Sequence, residues 1–166
     1  MSSALFHIEL LDSQQNRSTF RSGSEPLDRY FQQQVSQDVR RRVTACFVAL
    51  SQSQQIAGYY TLASTSILLA DLPLAAGKKL PRYPTVPAVR MGRLAVAQDF
   101  KGQGLGGALL ADALVRACNA EIAAYALMVD AKDKTAADFY LHHGFIAFAA
   151  TPQTLFLPLA TVKAQI

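Results

Sequence analysis

The chain has 166 residues, 51% of them hydrophobic, with 16 Lys+Arg against 12 Asp+Glu for a formal net charge of +4; this is one domain of ordinary size, able to build a core without disulfides or a structural metal. Its apolar runs are cut by Pro, Gly, Asp or Lys well short of the roughly 18 residues of a membrane span, and Met1-Ser2-Ser3-Ala4-Leu5-Phe6-His7 has neither a basic leader region nor a cleavage site, so a cytoplasmic protein is expected. Cys46 and Cys118 lack C-x-x-C spacing, and of the three histidines His142 and His143 are adjacent and diverge on a helix, so neither a disulfide framework nor a metal site is expected.

Along the chain, Ser24 as N-cap, Pro26 in the first turn, and Leu27, Tyr30, Phe31 and Val35 at helical spacing predict an amphipathic helix over about 25–38. Val43 to Leu50 and Ile56 to Ser64 are apolar and rich in strand formers, separated by polar Ser51-Gln52-Ser53-Gln54-Gln55, and read as an antiparallel hairpin. From Ala70 to Pro87, prolines at 73, 81, 84 and 87 and Gly77 break regular structure and predict a long loop, either a flexible connector or a wall for the substrate. Val89 to Val96 is the next strand. Leu105, Leu109 and Arg116, with Leu110, Leu114 and Ala117 on the apolar side, mark a helix after a glycine turn. Tyr125 to Asp130 reads as a buried strand, Asp133 as the N-cap of a helix over 134–143, and Gly144 as its left-handed terminus. Phe145 to Ala149 and Leu155 to Leu159 complete the chain as short strands.

The glycine turn carries the first chemistry. Lys101-Gly102-Gln103-Gly104-Leu105-Gly106-Gly107 joins an apolar strand to a helix, and its glycines remove the Cβ atoms that would hold a ligand off the backbone. Successive N–H groups and the positive end of the helix dipole then suit a pyrophosphate. A tight turn whose glycines only permit positive φ is the plainer alternative. No Gly-Lys-Ser/Thr follows, which excludes a Walker loop, and Glu121 precedes the next strand instead of closing it, which speaks against a dinucleotide fold.

Basic residues are grouped. Arg40-Arg41-Arg42 form one cluster, and Lys78, Lys79, Arg82, Arg90 and Arg93 mark the approach to the glycine turn. Singly each reads as a solvated surface residue, and Arg93 also as half of a buried ion pair. Together they suit an RNA backbone, whose binding is summed from several phosphate contacts.

Lys101-Gly102-Gln103-Gly104-Leu105-Gly106 resembles the Arg/Gln-x-x-Gly-x-Gly/Ala signature of the GNAT superfamily of acetyl-CoA-dependent N-acetyltransferases, with lysine where arginine or glutamine is usual. Asp130-Ala131-Lys132-Asp133 and Ala136-Ala137-Asp138-Phe139-Tyr140, closed by Gly144-Phe145, look like the second half of that cofactor site. Within the superfamily the chain is most similar to the GNAT toxins of type II toxin–antitoxin systems, in Gly58-Tyr59-Tyr60-Thr61-Leu62-Ala63, in the run from Pro84 to Val96, and in Leu155-Phe156-Leu157-Pro158-Leu159.

The resemblance implies an α/β fold in which helices flank a central mixed, mostly antiparallel twisted sheet, the whole chain being one acetyltransferase domain. It implies transfer of acetyl from acetyl-CoA to the α-amino group of an aminoacyl-tRNA, which stops translation. By the same resemblance, a backbone N–H among Leu94, Ala95 and Val96 polarises the thioester, the turn from Lys101 to Gly107 grips the pyrophosphate, and Asp133, Ala136 and Phe139 line the pantetheine. An asparagine is frequent in the superfamily where Asp133 stands. Tyr140 is the expected catalytic acid, since a phenol with pKa near ~10 is protonated at neutral pH and can supply a thiolate; alone it would read as a core tyrosine. Arg40, Arg41, Arg42, Arg82, Arg90 and Arg93 are the tRNA-binding candidates. A small DNA-binding antitoxin and a homodimer are further implied. Two other readings stay open: an enzyme of the same superfamily acetylating a small amine or a protein N-terminus, and a non-catalytic module that binds RNA or protein.

Overall fold

A computed structural model gives the fold and describes residues 5–163. It is mixed α/β. In chain order the elements are β1 (Phe6–Leu10), α1 (Glu25–Gln33), α2 (Val35–Arg40), β2 (Ala45–Ser51), β3 (Ile56–Leu68), α3 (Leu74–Gly77), β4 (Thr85–Val96), α4 (Leu105–Asn119), β5 (Ala126–Asp130), α5 (Lys134–His142), β6 (Ile146–Ala147), β7 (Thr154–Pro158) and α6 (Leu159–Lys163). Two compact units form: residues up to Ala63 with Gly92–Ala113, and Ser64–Met91 with the residues from Leu114 on.

In the first unit β1 pairs antiparallel with β2, and β2 with β3, the latter in the register Phe47↔Tyr60 and Val48↔Tyr59. Strand alternation sends the two neighbouring tyrosines of β3 to opposite faces. Tyr59 stacks on Phe31 of α1 with ring centroids 4.2 Å apart, Phe20 packs edge-on against both, and the Tyr59 hydroxyl donates to Leu27 O at 2.7 Å. Tyr60 stacks on Phe47 and donates its hydroxyl to Asp112 of α4 at 2.5 Å. One dipeptide thus fastens a helix to each face. Around Tyr59 the core is closed by Val35, Cys46, Val48 and Leu50.

In the second unit β5 runs parallel to β4 from Ala88↔Ala126 to Met91↔Val129, and antiparallel to β7, which in turn pairs antiparallel with β6. Among the described pairings antiparallel ones predominate and β4–β5 is parallel, as the resemblance implied. The core here is Ile67, Leu72, Val86, Ala88, Ala126, Phe148 and Phe156.

Several elements differ from the sequence reading. The single helix expected over 25–38 is two, with Gln34, at φ −119, between them; Val35, just after the break, is fully buried, and Asp38 accepts from the Tyr30 hydroxyl. Ser24 holds the N-cap position without a side-chain cap bond, and the buried carboxylate of Asp28 instead accepts from Ser22 N and Oγ. The segment expected as a structureless loop holds a 3-10 turn at Leu69–Asp71 and the helix α3, and β4 begins at Thr85, four residues earlier than read. Pro87 does not end that strand. β1, the 3-10 turn Gln98–Phe100 and α6 were not anticipated.

Candidate functional site

The end of β4 leads directly into the glycine turn. Ala97 N–H donates to Ala57 O at 2.8 Å and Gln98 N–H to Arg21 O at 2.8 Å, which seats the 3-10 turn Gln98–Phe100. Gly102 and Gly104 follow at φ +82 and +79, in the left-handed region that other residues rarely adopt, and a Cβ at either would meet nothing within 4 Å. Packing therefore does not require these glycines; the backbone conformation does, and it leaves the turn's outer side open. Lys101 through Gly104 are exposed. Helix α4 starts at Leu105, with Gly106 and Gly107 in its first turn, so its leading amides are unpaired by the helix itself. Leu105, Leu109, Leu110 and Ala113 anchor it by near-complete burial.

The strand before the turn is gripped closely. A Cβ on Gly58 would lie 2.9 Å from both Ala95 O and Leu109 Cδ1. Only glycine lets β3 approach Ala95 and α4 this closely. Ala95 is buried, while Leu94 and Val96 are partly so.

Arg93, expected to contact RNA or sit in a buried ion pair, is half-buried with its guanidinium 3.4 Å over the ring of Tyr30. The Tyr30 hydroxyl donates to Asp38 Oδ2 at 2.8 Å, and Gln34 Nε2 donates to Asp38 Oδ1 at 3.1 Å. Burial, then the bond to Asp38, raise the Tyr30 pKa, and the same bond, seconded by Gln34, holds Asp38 below the usual carboxylate range. Arg93 and Tyr30 lie far apart in the chain, so no local sequence pattern announces this pairing. Arg40, Arg41 and Arg42 are exposed at and after the end of α2, with Arg42 at φ 60. Neither acid of α1 is free as a base: Glu25 pairs with Arg29, and Asp28 is saturated by Ser22.

In the second unit α5 carries four candidates. Asp133 caps it, its Oδ1 accepting from Ala136 N at 2.8 Å, so both groups have a structural task beside any ligand contact. Ala136 and Phe139 are partly exposed, and Tyr140 is 7% exposed with its ring against Phe139 and Phe145. Burial pushes the Tyr140 phenol up to about 12. Gly144, at φ +93, ends the last turn and lets Phe145 N–H reach Tyr140 O at 3.1 Å. Arg90 forms an ion pair with Asp130 at 2.6 Å, which also accepts from Thr154 Oγ1, and Arg82 is exposed in the segment before β4. Among the described residues no three His, Cys, Asp or Glu side chains are grouped to hold a metal ion, and no helix is long and apolar enough to cross a membrane.

Leu94 to Val96, Arg93 and the turn 101–107 thus belong to one strand–turn–helix passage, and Asp133, Ala136, Phe139 and Tyr140 to one helix. Sequence reasoning gave no part in the strand–turn–helix passage to Gly58, Tyr30 or Asp38, although Gly58 stands in one of the motifs of the resemblance. Gly58 interrupts an otherwise apolar strand, a signal for close backbone approach.

Residues 12–155 match the family model for the acetyltransferase (GNAT) domain. The tRNA-acetylating toxin of Mycobacterium tuberculosis is 32% identical over 151 residues, covering 90% of this chain and 89% of its own. Among solved structures, AtaT complexed with acetyl-methionyl-tRNAfMet is 28% identical, with a TM-score of 0.89 over 96% of this chain and 98% of that one. AtaTR bound with AcCoA is 27% identical, with a TM-score of 0.84 over 97% and 98% of the two chains.

Proposed function

The chain belongs to the GNAT acetyltransferase family, and from that premise we propose that it acetylates the α-amino group of aminoacyl-tRNA, acting as the toxin of a type II toxin–antitoxin pair and so halting translation. The observation that carries the acceptor is the likeness, over nine-tenths of the chain, to a tRNA-acetylating toxin. The likeness to a structure holding acetyl-methionyl-tRNAfMet supports it. We read both units as one acetyltransferase domain.

Acetyl-CoA supplies the activated acetyl group. The turn suits its pyrophosphate: Gly102 and Gly104 present backbone with open space where side chains would stand, and the first amides of α4 add the positive end of a helix dipole. In this reading Lys101 to Gly107 hold the diphosphate, and a backbone N–H of Leu94, Ala95 or Val96 donates to the thioester oxygen as negative charge builds there. Asp133, by way of the cap it makes, together with Ala136 and Phe139, orders the wall for the pantetheine. Arg40, Arg41, Arg42, Arg82, Arg90 and Arg93 meet tRNA phosphates, Arg93 from its seat on Tyr30.

Tyr140 Oη gives its proton to the departing thiolate. At about 12 its phenol stays protonated at every physiological pH. A thiolate in a comparably dry place is raised likewise, so the transfer stays near the ordinary gap of roughly 1.5 units between tyrosine and a thiol. The acceptor asks for little help: an α-amine titrates near ~8, lower still beside an ester, so a useful fraction is neutral at pH 7 without a strong base.

Incubation with labelled acetyl-CoA and total tRNA, charged or deacylated, tests the proposal. Label is expected only on charged tRNA. Label on neither, with a small amine or a protein N-terminus accepted instead, overturns it. Neutralisation by a small DNA-binding antitoxin and assembly as a homodimer belong to the same reading and are checked by co-expression and by sedimentation.

A further inference from the structure

Within the second unit the chain leaves β3 at Leu68 and re-enters the sheet at Thr85, and the intervening segment is closed at its base by the bond from Leu69 N–H to Pro84 O at 2.9 Å. It encloses a groove of about 460 Å³. Leu69, Leu72 and Pro84 line it with apolar surface, and exposed Lys78, Arg82 and Tyr83 line it as well. No lining residue is acidic, and among the described residues Lys78 and Arg82 enter no ion pair.

Tyr83 is out of character for this chain. Tyr30, Tyr59, Tyr60 and Tyr140 are buried, whereas Tyr83 is 65% exposed. An exposed aromatic ring in one groove with two cations and apolar side chains has the chemistry of a base-stacking platform: every nucleobase has a π face to lay on the ring, and the cations meet the flanking phosphates. A purely apolar partner would leave Lys78 and Arg82 unmatched.

We propose that the groove holds an unpaired nucleobase at the single-stranded 3′ end of an RNA, Tyr83 stacking on the base while Lys78 and Arg82 take the adjoining phosphates. This rests on charged tRNA being the acceptor, whose reacting end is unpaired. It also gives the proline-broken segment the role of substrate wall and makes Tyr83 a binding residue beside the arginines.

The test uses the full chain in wild-type, Tyr83→Ala and Tyr83→Phe forms. Fluorescence anisotropy is measured with a labelled short single-stranded RNA ending in CCA and with a blunt duplex, and turnover with charged tRNA. Tyr83→Ala is expected to weaken the single strand about tenfold or more, the loss of one base stack. Tyr83→Phe stays within about twofold of wild type, and binding of the duplex, whose bases are paired and covered except at its ends, changes by less than about twofold. In turnover the alanine variant raises KM for charged tRNA by a similar factor and leaves KM for acetyl-CoA alone. Equal binding and KM for wild type and Tyr83→Ala overturn the groove while leaving the acceptor assignment intact. So does sedimentation in which Tyr83→Ala separates an oligomer into monomers, because the groove is then an interface between copies. Tyr83-dependent RNA binding by a wild-type protein that acetylates no charged tRNA sinks the acceptor assignment alone.

Discussion

In the proposed mechanism Tyr140 supplies the proton to the departing thiolate, and its environment sets the pH range over which its hydroxyl stays protonated. The ring is buried against Phe139 and Phe145, and loss of solvation is what raises its pKa to about 12. Tyr140→Phe removes only the proton donor, so fold and acetyl-CoA binding should survive while kcat falls by about 10²-fold or more, the usual size of a general-acid contribution. An unchanged kcat would remove Tyr140 from the mechanism. The pH dependence follows from the same number. The rate should climb as the acceptor amine loses its proton, with an apparent pKa at or below ~8, and then stay level, because the acid form of Tyr140 is lost only as pH nears 12. Profiles of kcat/KM between about pH 6 and 9.5 check this, and a descending limb inside that range would assign the proton to another group. Tyr140 as the candidate acid comes from the Phe139-Tyr140 context and the family resemblance, whereas the drying of its ring by Phe145 was not legible there. Only the fold brings Phe145 back onto Tyr140 through the turn at Gly144.

At the scale of elements, β3, β4 and α4 are held together at one point of contact. Gly58→Ala would put a methyl group 2.9 Å from Ala95 O and Leu109 Cδ1, and a backbone carbonyl cannot give way as a flexible side chain can. The variant should lose about 1–3 kcal/mol of stability in urea melts, the usual cost of overpacking, and should shift the Leu94–Val96 backbone proposed to polarise the thioester. Gly104→Ala is the contrast. Its Cβ meets nothing, and its cost is that of a left-handed residue, about 1 kcal/mol. Its larger effect should be a raised KM for acetyl-CoA. If Gly58→Ala proves neutral in stability, the close approach is not what demands glycine there. The elements themselves were largely visible beforehand: apolar runs of strand formers, helical spacing and capping residues located β2, α4, β5 and α5 to within a residue or two. The break at Gln34 and the helical turns inside the proline-rich segment were not visible. Helical periodicity runs through Val35 without interruption, so the spacing carries no sign of the break at Gln34.

Across the whole molecule, buried acids that prefer to stay neutral set the alkaline limit of stability. Burial raises Cys46 from 9.0 to about 12, Tyr140 to about 12, and Tyr30 and Tyr59 as well. The unfolded chain therefore releases these protons at lower pH than the folded one, so stability is complete below about pH 9 and declines as pH rises from there toward 12. Urea midpoints should be level from about pH 7 to 8.5 and fall steadily by about pH 10.5; a midpoint that holds at the higher pH would mean these groups do not stay buried and neutral. The sequence by itself carried the strand–glycine turn–helix, and through its motifs the resemblance to the family and the catalytic tyrosine candidate, because each is written in short runs of consecutive residues. The tertiary structure alone decided that Arg93 rests on Tyr30, that Gly58 faces Ala95, and that Tyr83 stands exposed in one groove with Lys78 and Arg82. Those relations depend on how strands register and segments return on themselves, where a shift of one residue turns a side chain to the opposite face.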